Sequence, residues 1–549
     1  MNWARSPKAM LFYPIVLGLV WGAAYPKWGL AGLAWVVPGG LMTLAVSSPK
    51  GSFRVGYLTG FAAYLFSLSW LLSIPFPAGA FAGWVALSAY LALYPACWAW
   101  FCRFTLRRWM GGGDGRNEPD ESQSPFRGDW DALLEGSWIR RSVWALVMAA
   151  AWVAFEMAVS RMLSGFPWLP LGMTQYRMVP LIQVASITGV YGVSFLAAWF
   201  SVSLAMAVCR LARRPEDRWA WLPDVGVPLV VLIAVAMTGY GRLSDDEAGG
   251  RTLSMALVQP SIPQELIWDE REDEHRFDQL MELSRLALAS RPEVLVWPEA
   301  ALPAFTRANY EAITNLIAEH KVWMVFGADD SEPRRAMDGE EKYDSFNSAF
   351  LFGPDGLYRS NYRKQRLVIF GEYVPLGEWF PFLKRLTPIQ GSFTAGSAPA
   401  GFRLTDSAVE LSVLICFEDV FPHGARRHVT ERTDFLLNLT NNGWFGESAA
   451  QWQHAANAVF RAVENAVPLV RCTNNGLTCW IDAVGRLRQV FRGEEGDEYG
   501  RGFMRVEIPL RTEGMMREGT FYRRHGDVFG WACVILALGG AVGRRRRKG

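Results

Sequence analysis

Apolar and polar positions divide this chain into two unlike halves. From about residue 10 to residue 240 it is a series of long apolar runs. From about residue 251 to residue 524, short β-branched runs alternate with amphipathic stretches and charges are spread evenly. A spanning helix needs about 20 mostly apolar residues to cross roughly 30 Å of hydrocarbon. Runs near that length lie at 9–25, 28–46, 55–76, 80–102, 143–159, 189–209 and 225–240, and a shorter one at 528–542 follows the polar half. The pattern therefore predicts about eight spans, seven before the polar half and one after it. The first run lacks a cleavage-site pattern and is followed at once by another, which predicts a retained span and not a removed signal peptide.

Basic residues predict the orientation, because short cytoplasmic connections are rich in Lys and Arg. Arg5 and Lys8 precede the first run, and Lys50 with Arg54 lie in the second connection. Arg103, Arg107, Arg108, Arg140 and Arg141 lie in the fourth, about 103–141. Arg210, Arg213, Arg214 and Arg218 lie in the sixth, and Arg544 to Lys548 form the tail. The alternate connections are poorer, so both termini are expected in the cytoplasm and the polar half on the opposite face. Trp21, Trp28, Trp84, Trp100, Trp221 and Trp531 sit at run ends, where interfacial aromatic belts form. Residues 111–136, rich in Gly, Asp and Glu, read as a mobile cytoplasmic excursion. Segment 164–188 tempts a ninth span, but crossing there would put the Arg210–Arg218 cluster outside. A re-entrant or surface-lying segment is expected instead. Glu156 stands inside the fifth run, where a carboxylate is either functional or a helix-packing hydrogen bonder, with Arg161 as one partner.

In the polar half, strands are expected at 253–258, 294–297, 323–326, 349–352, 411–416, 435–439 and 469–472. Helices are expected at 274–289, 310–320 and 453–464, an alternation that predicts a layered α/β domain. The domains expected are 1–245, a catalytic unit over 250–512, and a closing helix with basic tail over 525–549. A formal charge of +2, from 55 Lys+Arg against 53 Asp+Glu, argues against a nucleic-acid partner. Seven Cys without paired CxxC clusters exclude a disulfide scaffold and a zinc ribbon, and six His in no HxxxH arrangement disfavour a His-rich metal site.

Three short segments place a polar residue where a core would not choose one. Val294-Leu295-Val296-Trp297-Pro298-Glu299 delivers a carboxylate at a strand end. Tyr362-Arg363-Lys364 is followed by Phe370-Gly371-Glu372. Leu411 to Ile415 is an apolar strand that ends on Cys416-Phe417-Glu418-Asp419. A lone strand-end Cys is usually a buried thiol, and a lone Glu or Lys a solvated side chain. The ordered set of Glu, Lys and Cys is far more specific. It resembles the nitrilase, or carbon–nitrogen hydrolase, superfamily. Together with the apolar half it resembles the membrane-embedded apolipoprotein N-acyltransferase family of bacterial inner membranes. The likeness covers nearly the whole chain and includes Val258-Gln259-Pro260, Ile262-Pro263-Gln264, Trp268-Asp269, Tyr373-Val374-Pro375, Trp444-Phe445-Gly446 and Thr473-Asn474-Asn475-Gly476. In the apolar half it includes Gly165-Phe166-Pro167-Trp168 and Gly189 to Ser194. Phe417 stands where the family usually has Tyr.

The resemblance implies an αββα sandwich and a Glu299, Lys364, Cys416 triad. A thiol of ordinary pKa about 8.5 is mostly protonated at neutral pH, and a cation such as Lys364 favours the thiolate. Glu299 can take the thiol proton, and Lys364 with the Phe417 N–H can hold the oxyanion. Glu372 is expected to orient Lys364. Glu418 either holds the loop behind Cys416 or makes a surface ion pair. Trp268 and Trp444 either line an acyl entrance or belong to an aromatic core. Cys472 and Cys479 read as structural, and His454 as a packing residue. The implied donor is a membrane phospholipid, typically phosphatidylethanolamine. The implied acceptor is the α-amine of the diacylglyceryl-cysteine that begins an apolipoprotein. This chemistry calls for no metal or organic cofactor.

Two rival readings follow from the same residues. A membrane-tethered amidase or nitrilase would use the same triad, with water as acceptor, but a tether needs only one span. A transporter or receptor would not require Glu299, Lys364 and Cys416 together, and no internal repeat is visible.

Overall fold

The computed structural model describes residues 7–48, 51–110, 125–217, 219, 221–243, 250–267, 269–302, 305–335, 341–375, 377, 379–380, 382, 385, 387, 391–405, 408–511 and 516–542. Arg5, Lys50, Arg218, Trp268, residues 111–124 of the expected excursion and the basic tail lie outside these residues. The chain forms two compact units. One comprises Met1–Ser69, Ala82–Leu243 and His525–Gly549; the other comprises Trp70–Phe81 and Ser244–Arg524.

Each of the eight apolar runs contains a helix. Pro77–Met110, Trp138–Val159, Val190–Arg213 and Leu222–Arg242 are long and apolar enough to cross a membrane. The other four, Pro7–Ala23, Val37–Val46, Ser52–Ser67 and Val528–Val542, have 10 to 17 residues. The outer faces stay apolar: Leu229, Val230, Ile233 and Met237 are exposed on one helix, and Ile535, Leu538 and Val542 on another. An apolar exterior of this extent needs lipid around it, so this is a membrane protein.

The charged side chains Arg141 and Glu156, buried in this unit, find partners, as a low-dielectric setting favours. Arg141 Nε donates to both oxygens of Asp224 at 2.9 Å. Glu156 Oε1 accepts from Trp152 Nε1 at 2.9 Å and from the Leu171 N–H at 2.8 Å. Arg161 is not its partner; that guanidinium pairs with Asp527. Segment 164–188 contains 3-10 turns and two short helices, Val179–Ile182 and Ala185–Thr188, and Pro167 to Tyr176 is buried within the protein.

The second unit is built on two six-stranded sheets. The first has the order β12-β1-β2-β3-β4-β5 and the second β11-β10-β9-β8-β7-β6. The strands are β1 Thr252–Gln259, β2 Val294–Val296, β3 Trp323–Arg335, β4 Glu341–Phe352, β5 Tyr358–Arg363 and β6 Gly401–Leu404. The rest are β7 Val409–Ile415, β8 Phe435–Thr440, β9 Leu469–Thr473, β10 Cys479–Ile481, β11 Leu487–Val490 and β12 Gly502–Pro509. In each sheet the three strands β1-β2-β3 or β7-β8-β9 run parallel, and the flanking pairings are antiparallel.

Alternation along the strands sends one set of side chains between the sheets and the other outward. Val294, Val296, Val325, Leu351, Val413, Ile415, Leu437 and Val470 share the inner core. Leu295, Trp297, Met324 and Phe326 pack with residues of the Asp273–Leu288 and Arg307–His320 helices. The Ala450–Asn465 helix, almost wholly buried, packs by the second sheet. The result is the expected αββα sandwich. The strands absent from the sequence reading are β5, β6, β10, β11 and β12. β5 and β11 are largely solvated, and β12 buries only alternate residues.

Candidate active site

The parallel strands end at a common edge, and the chemistry-bearing residues lie just beyond them. β2 runs through buried Trp297 to Pro298 and Glu299. Gly327 on β3 makes room for this turn, since a Cβ there would lie 2.6 Å from the Pro298 carbonyl oxygen. Lys364 directly follows β5, with its N–H donating to the Asn347 carbonyl at 2.9 Å. Cys416 directly follows β7 and opens the short 3-10 turn Cys416–Val420.

The backbone is strained at these points. Ala300, Phe370 and Cys416 have φ of 50°, 60° and 50°. A left-handed conformation costs a non-glycine residue about 1–2 kcal/mol, and such residues gather at functional sites. Each of these three is at, or within two residues of, a member of the expected site.

Glu299, Lys364 and Glu372 form one buried assembly. Lys364 Nζ donates to Glu299 Oε1 at 3.0 Å and to Glu372 Oε1 at 2.7 Å. Asn347 Nδ2 donates to the same two oxygens at 2.8 and 2.9 Å. Glu299 Oε2 accepts from the Asn441 N–H at 2.8 Å, at the end of β8 in the other sheet. Glu372 Oε2 accepts from the Val368 N–H at 2.8 Å. Burial opposes the Lys364 charge, but Glu299 and Glu372 prevail and hold its pKa well above the ordinary lysine value.

The Cys416 thiol is pushed up to about 12, first by burial and then by the Glu299 charge. Lys364 and the Thr440 hydroxyl pull the other way without prevailing. Lys364 thus favours the thiolate in the expected direction, but burial and the Glu299 charge outweigh it. Cys416 rests as a thiol within electrostatic reach of the Glu299–Lys364 ion pair.

A second network stands behind Cys416. Glu418 is 3 % exposed, which excludes the surface ion pair. It accepts from the Tyr362 hydroxyl at 2.8 Å and from the N–H groups of Gln365, Arg366 and Ile415 at 2.7, 3.1 and 2.8 Å. It thereby joins the Cys416 turn to the chain that follows Lys364. Asp419 pairs with Arg471 and with His454, Nε2 to Oδ1 2.7 Å. His454 Nε2 also lies 3.2 Å from the Cys416 carbonyl, which accepts from Asn438 Nδ2 at 3.0 Å. Burial lowers the His454 pKa.

Among the other expected residues, Phe417 meets Phe421 edge-on at 4.9 Å. Trp444 is half-buried in the Asn442–Phe445 turn. Its neighbour Phe445 meets Trp70 edge-on at 4.5 Å, and Trp70 Nε1 donates to Gln453 Oε1 at 3.0 Å. Trp268 lies outside the described residues. Cys472 and Cys479 are buried, their thiols raised by burial. Asn347 and Asn441 escaped the sequence reading. Asn347 has a signal in retrospect: it falls on the inward alternation of β4 beside Ala349 and Leu351, where an amide needs a partner. Among the described residues no group of three or more His, Cys, Asp or Glu is placed to hold a metal ion.

Comparison with known proteins agrees with this arrangement. Residues 17–203 match the family described as the apolipoprotein N-acyltransferase N-terminal domain, and residues 254–499 match carbon-nitrogen hydrolase. The apolipoprotein N-acyltransferase of Geobacter metallireducens is 35% identical, over 99% of this chain and 96% of that one. The chain belongs to the apolipoprotein N-acyltransferase family. The Vibrio cholerae relative is 31% identical over 98% of this chain and 97% of its own. Among solved structures, an amidase from a Nesterenkonia species is 16% identical with a TM-score of 0.33, covering 48% of this chain and 92% of that one. Family membership makes this protein an acyltransferase of lipoprotein biosynthesis, with a nitrilase-like domain beside a helical membrane unit.

Proposed function

We propose that the chain moves one acyl chain from a membrane phospholipid to the α-amine of the diacylglyceryl-cysteine that begins an apolipoprotein. The observation that carries this reading is the buried Glu299–Lys364–Glu372 assembly next to the Cys416 thiol, in a chain with four span-length apolar helices. Glu299 takes the thiol proton as sulfur attacks the donor ester carbonyl. Lys364 and the Phe417 N–H hold the oxyanion, and the lysophospholipid alcohol leaves with the proton from Glu299. The acyl group then rests on Cys416 as a thioester. The acceptor amine attacks it, Glu299 again passes the proton, and the amide leaves the regenerated thiol. Two substrates used in turn at one sulfur give ping-pong kinetics.

Glu372 shares the Lys364 charge and orients it. Glu418 keeps the Cys416 turn in register with Lys364. Trp444 lines the acyl entrance, and phosphatidylethanolamine is the donor. The protein crosses the bacterial inner membrane eight times, with both termini cytoplasmic and the catalytic unit, residues 250–512, on the periplasmic face. Spans within 1–245 and the closing 525–549 helix bring long acyl chains to a site that water could not supply.

The test uses the detergent-purified full chain with phosphatidylethanolamine and a diacylglyceryl-cysteine peptide. The peptide is expected to gain one acyl chain at its amine, while the N-acetylated peptide gains none. Release of free fatty acid with no gain on the peptide would overturn the reading in favour of a hydrolase.

A further inference from the structure

The second half-reaction leaves a proton to be placed. An α-amine has a pKa of about 8, so at neutral pH the acceptor arrives mostly as an ammonium. Ammonium plus thioester gives amide plus thiol plus one H+. Glu299 relays one proton from the attacking nitrogen to the departing sulfur and ends as it began. The surplus proton needs a second acceptor.

One carboxylate beside the site has no role so far. Asp329 lies on β3 directly opposite Asn347 on β4. Cross-strand partners share a face. Val325, two positions from Gly327, belongs to the core between the sheets, and so do Ala349 and Leu351 on β4. Asp329 therefore projects on the inner face, one step past the Gly327 that abuts Glu299. Its cross-strand neighbour Asn347 donates to both Glu299 and Glu372. Among the described residues the Asp329 side chain has no hydrogen-bond or ion-pair partner, and the residue is exposed.

Glu299 and Glu372 are the charges that act on it, from the first sheet and its loops, and both hold the Lys364 ammonium. Asp330 and Arg363 belong to the opposite face, where they pair with each other. The residue reaches solvent, yet desolvation by the surrounding protein and the like charges of Glu299 and Glu372 raise its carboxyl to about 7.

Resting on the acyl-transfer reading above, we infer that Asp329 receives the ammonium of the incoming acceptor and takes its surplus proton, so that the free amine attacks the Cys416 thioester. The N–H bond breaks toward the Asp329 carboxylate, which then gives the proton to water. Its ionisation lies about one unit below that of the amine, so the transfer is only slightly uphill. Below pH 7 Asp329 is itself protonated and can no longer accept.

The test separates the half-reactions in Asp329→Asn. Acylation by phosphatidylethanolamine alone is followed by intact mass, and discharge by a diacylglyceryl-cysteine peptide is followed from the pre-formed acyl-enzyme. Acylation is expected within a few-fold of wild type. Discharge is expected to slow tenfold or more at pH 7 and to approach the wild-type rate near pH 9, where the amine is already free. Equal discharge rates at all pH values would overturn the inference while leaving the acyl-transfer reading intact. So would slowed acylation from phosphatidylethanolamine but not from phosphatidylglycerol, which would make Asp329 a reader of the donor's own ammonium. A slowing of both steps at every pH would reduce it to a structural residue. Failure of the wild-type protein to form any acyl-enzyme would sink the underlying reading instead.

Discussion

The two sides of Cys416 use the same residue types to opposite ends. On the Glu299 side two carboxylates share one ammonium, and a third carboxylate, Asp329, has no partner among the described residues. On the Glu418 side the carboxylates are held by backbone N–H groups, a tyrosine hydroxyl, an arginine and a histidine. The first arrangement carries negative charge in excess of its cation and can move a proton at little cost. The second fixes a strained turn whose first residue has φ of 50°. The same residue types thus leave charge unbalanced on one side and meet a dense set of donors on the other.

The largest expected break in this comparison is at the transfer side. Cys416→Ala and Glu299→Gln should each lower acyl transfer about 10³-fold or more while leaving Tm nearly unchanged. A large fall in Tm with Glu299→Gln would mean that the carboxylate is part of the scaffold. Lys364→Met should cost about 10²–10³-fold in kcat. It should also lower Tm, because Glu299 and Glu372 would remain buried without their cation, a loss of several kcal/mol.

Glu418→Ala should reverse the balance. Four donors lose their acceptor, so stability should fall by about 1–3 kcal/mol or more, seen as a lower Tm, with a milder loss of kcat. Unchanged Tm with abolished acylation would assign Glu418 a direct chemical part and undo the contrast. The thiol itself offers a finer probe. With its pKa pushed up to about 12, Cys416 should alkylate slowly and gain about tenfold in rate per pH unit between pH 7 and 9. A plateau near pH 8.5, measured beside Cys416→Ala to subtract other cysteines, would mark an ordinary thiol. The smallest effect belongs to Phe417→Tyr, which restores the usual family residue beside Phe421. Activity within about twofold and unchanged Tm are expected from kinetics and melting.

Much of this was readable in the sequence, and what was missed follows a rule. Apolar runs marked the membrane helices because hydrocarbon tolerates little else over 20 residues. Strands buried on both sides, such as Val294–Val296 and Val409–Ile415, stood out as continuous apolar runs. β5 and β12 did not, because a half-solvated edge carries polar residues. The β3–β4 extension beyond Phe326 is charged, yet it carries Asp329 and Asn347. Glu299 and Cys416 were legible because each breaks an apolar context at a strand end, and Lys364 because it completes an ordered set with them. Asn347, Asn441 and Asp329 gain their meaning only when distant strands become neighbours, and short-range spacing does not encode that. The size of the Cys416 shift was out of reach of the sequence for a related reason. A cation's presence can be read from sequence, but burial and the opposing Glu299 charge emerge only on folding.

The most direct measurement is the intact mass of the detergent-purified protein after incubation with phosphatidylethanolamine alone, beside Cys416→Ala. The expected result is a gain of one acyl chain that hydroxylamine removes, that a diacylglyceryl-cysteine peptide discharges, and that the variant lacks. An adduct that persists in Cys416→Ala, or no adduct with lipid in excess, would contradict acyl transfer through the Cys416 thioester.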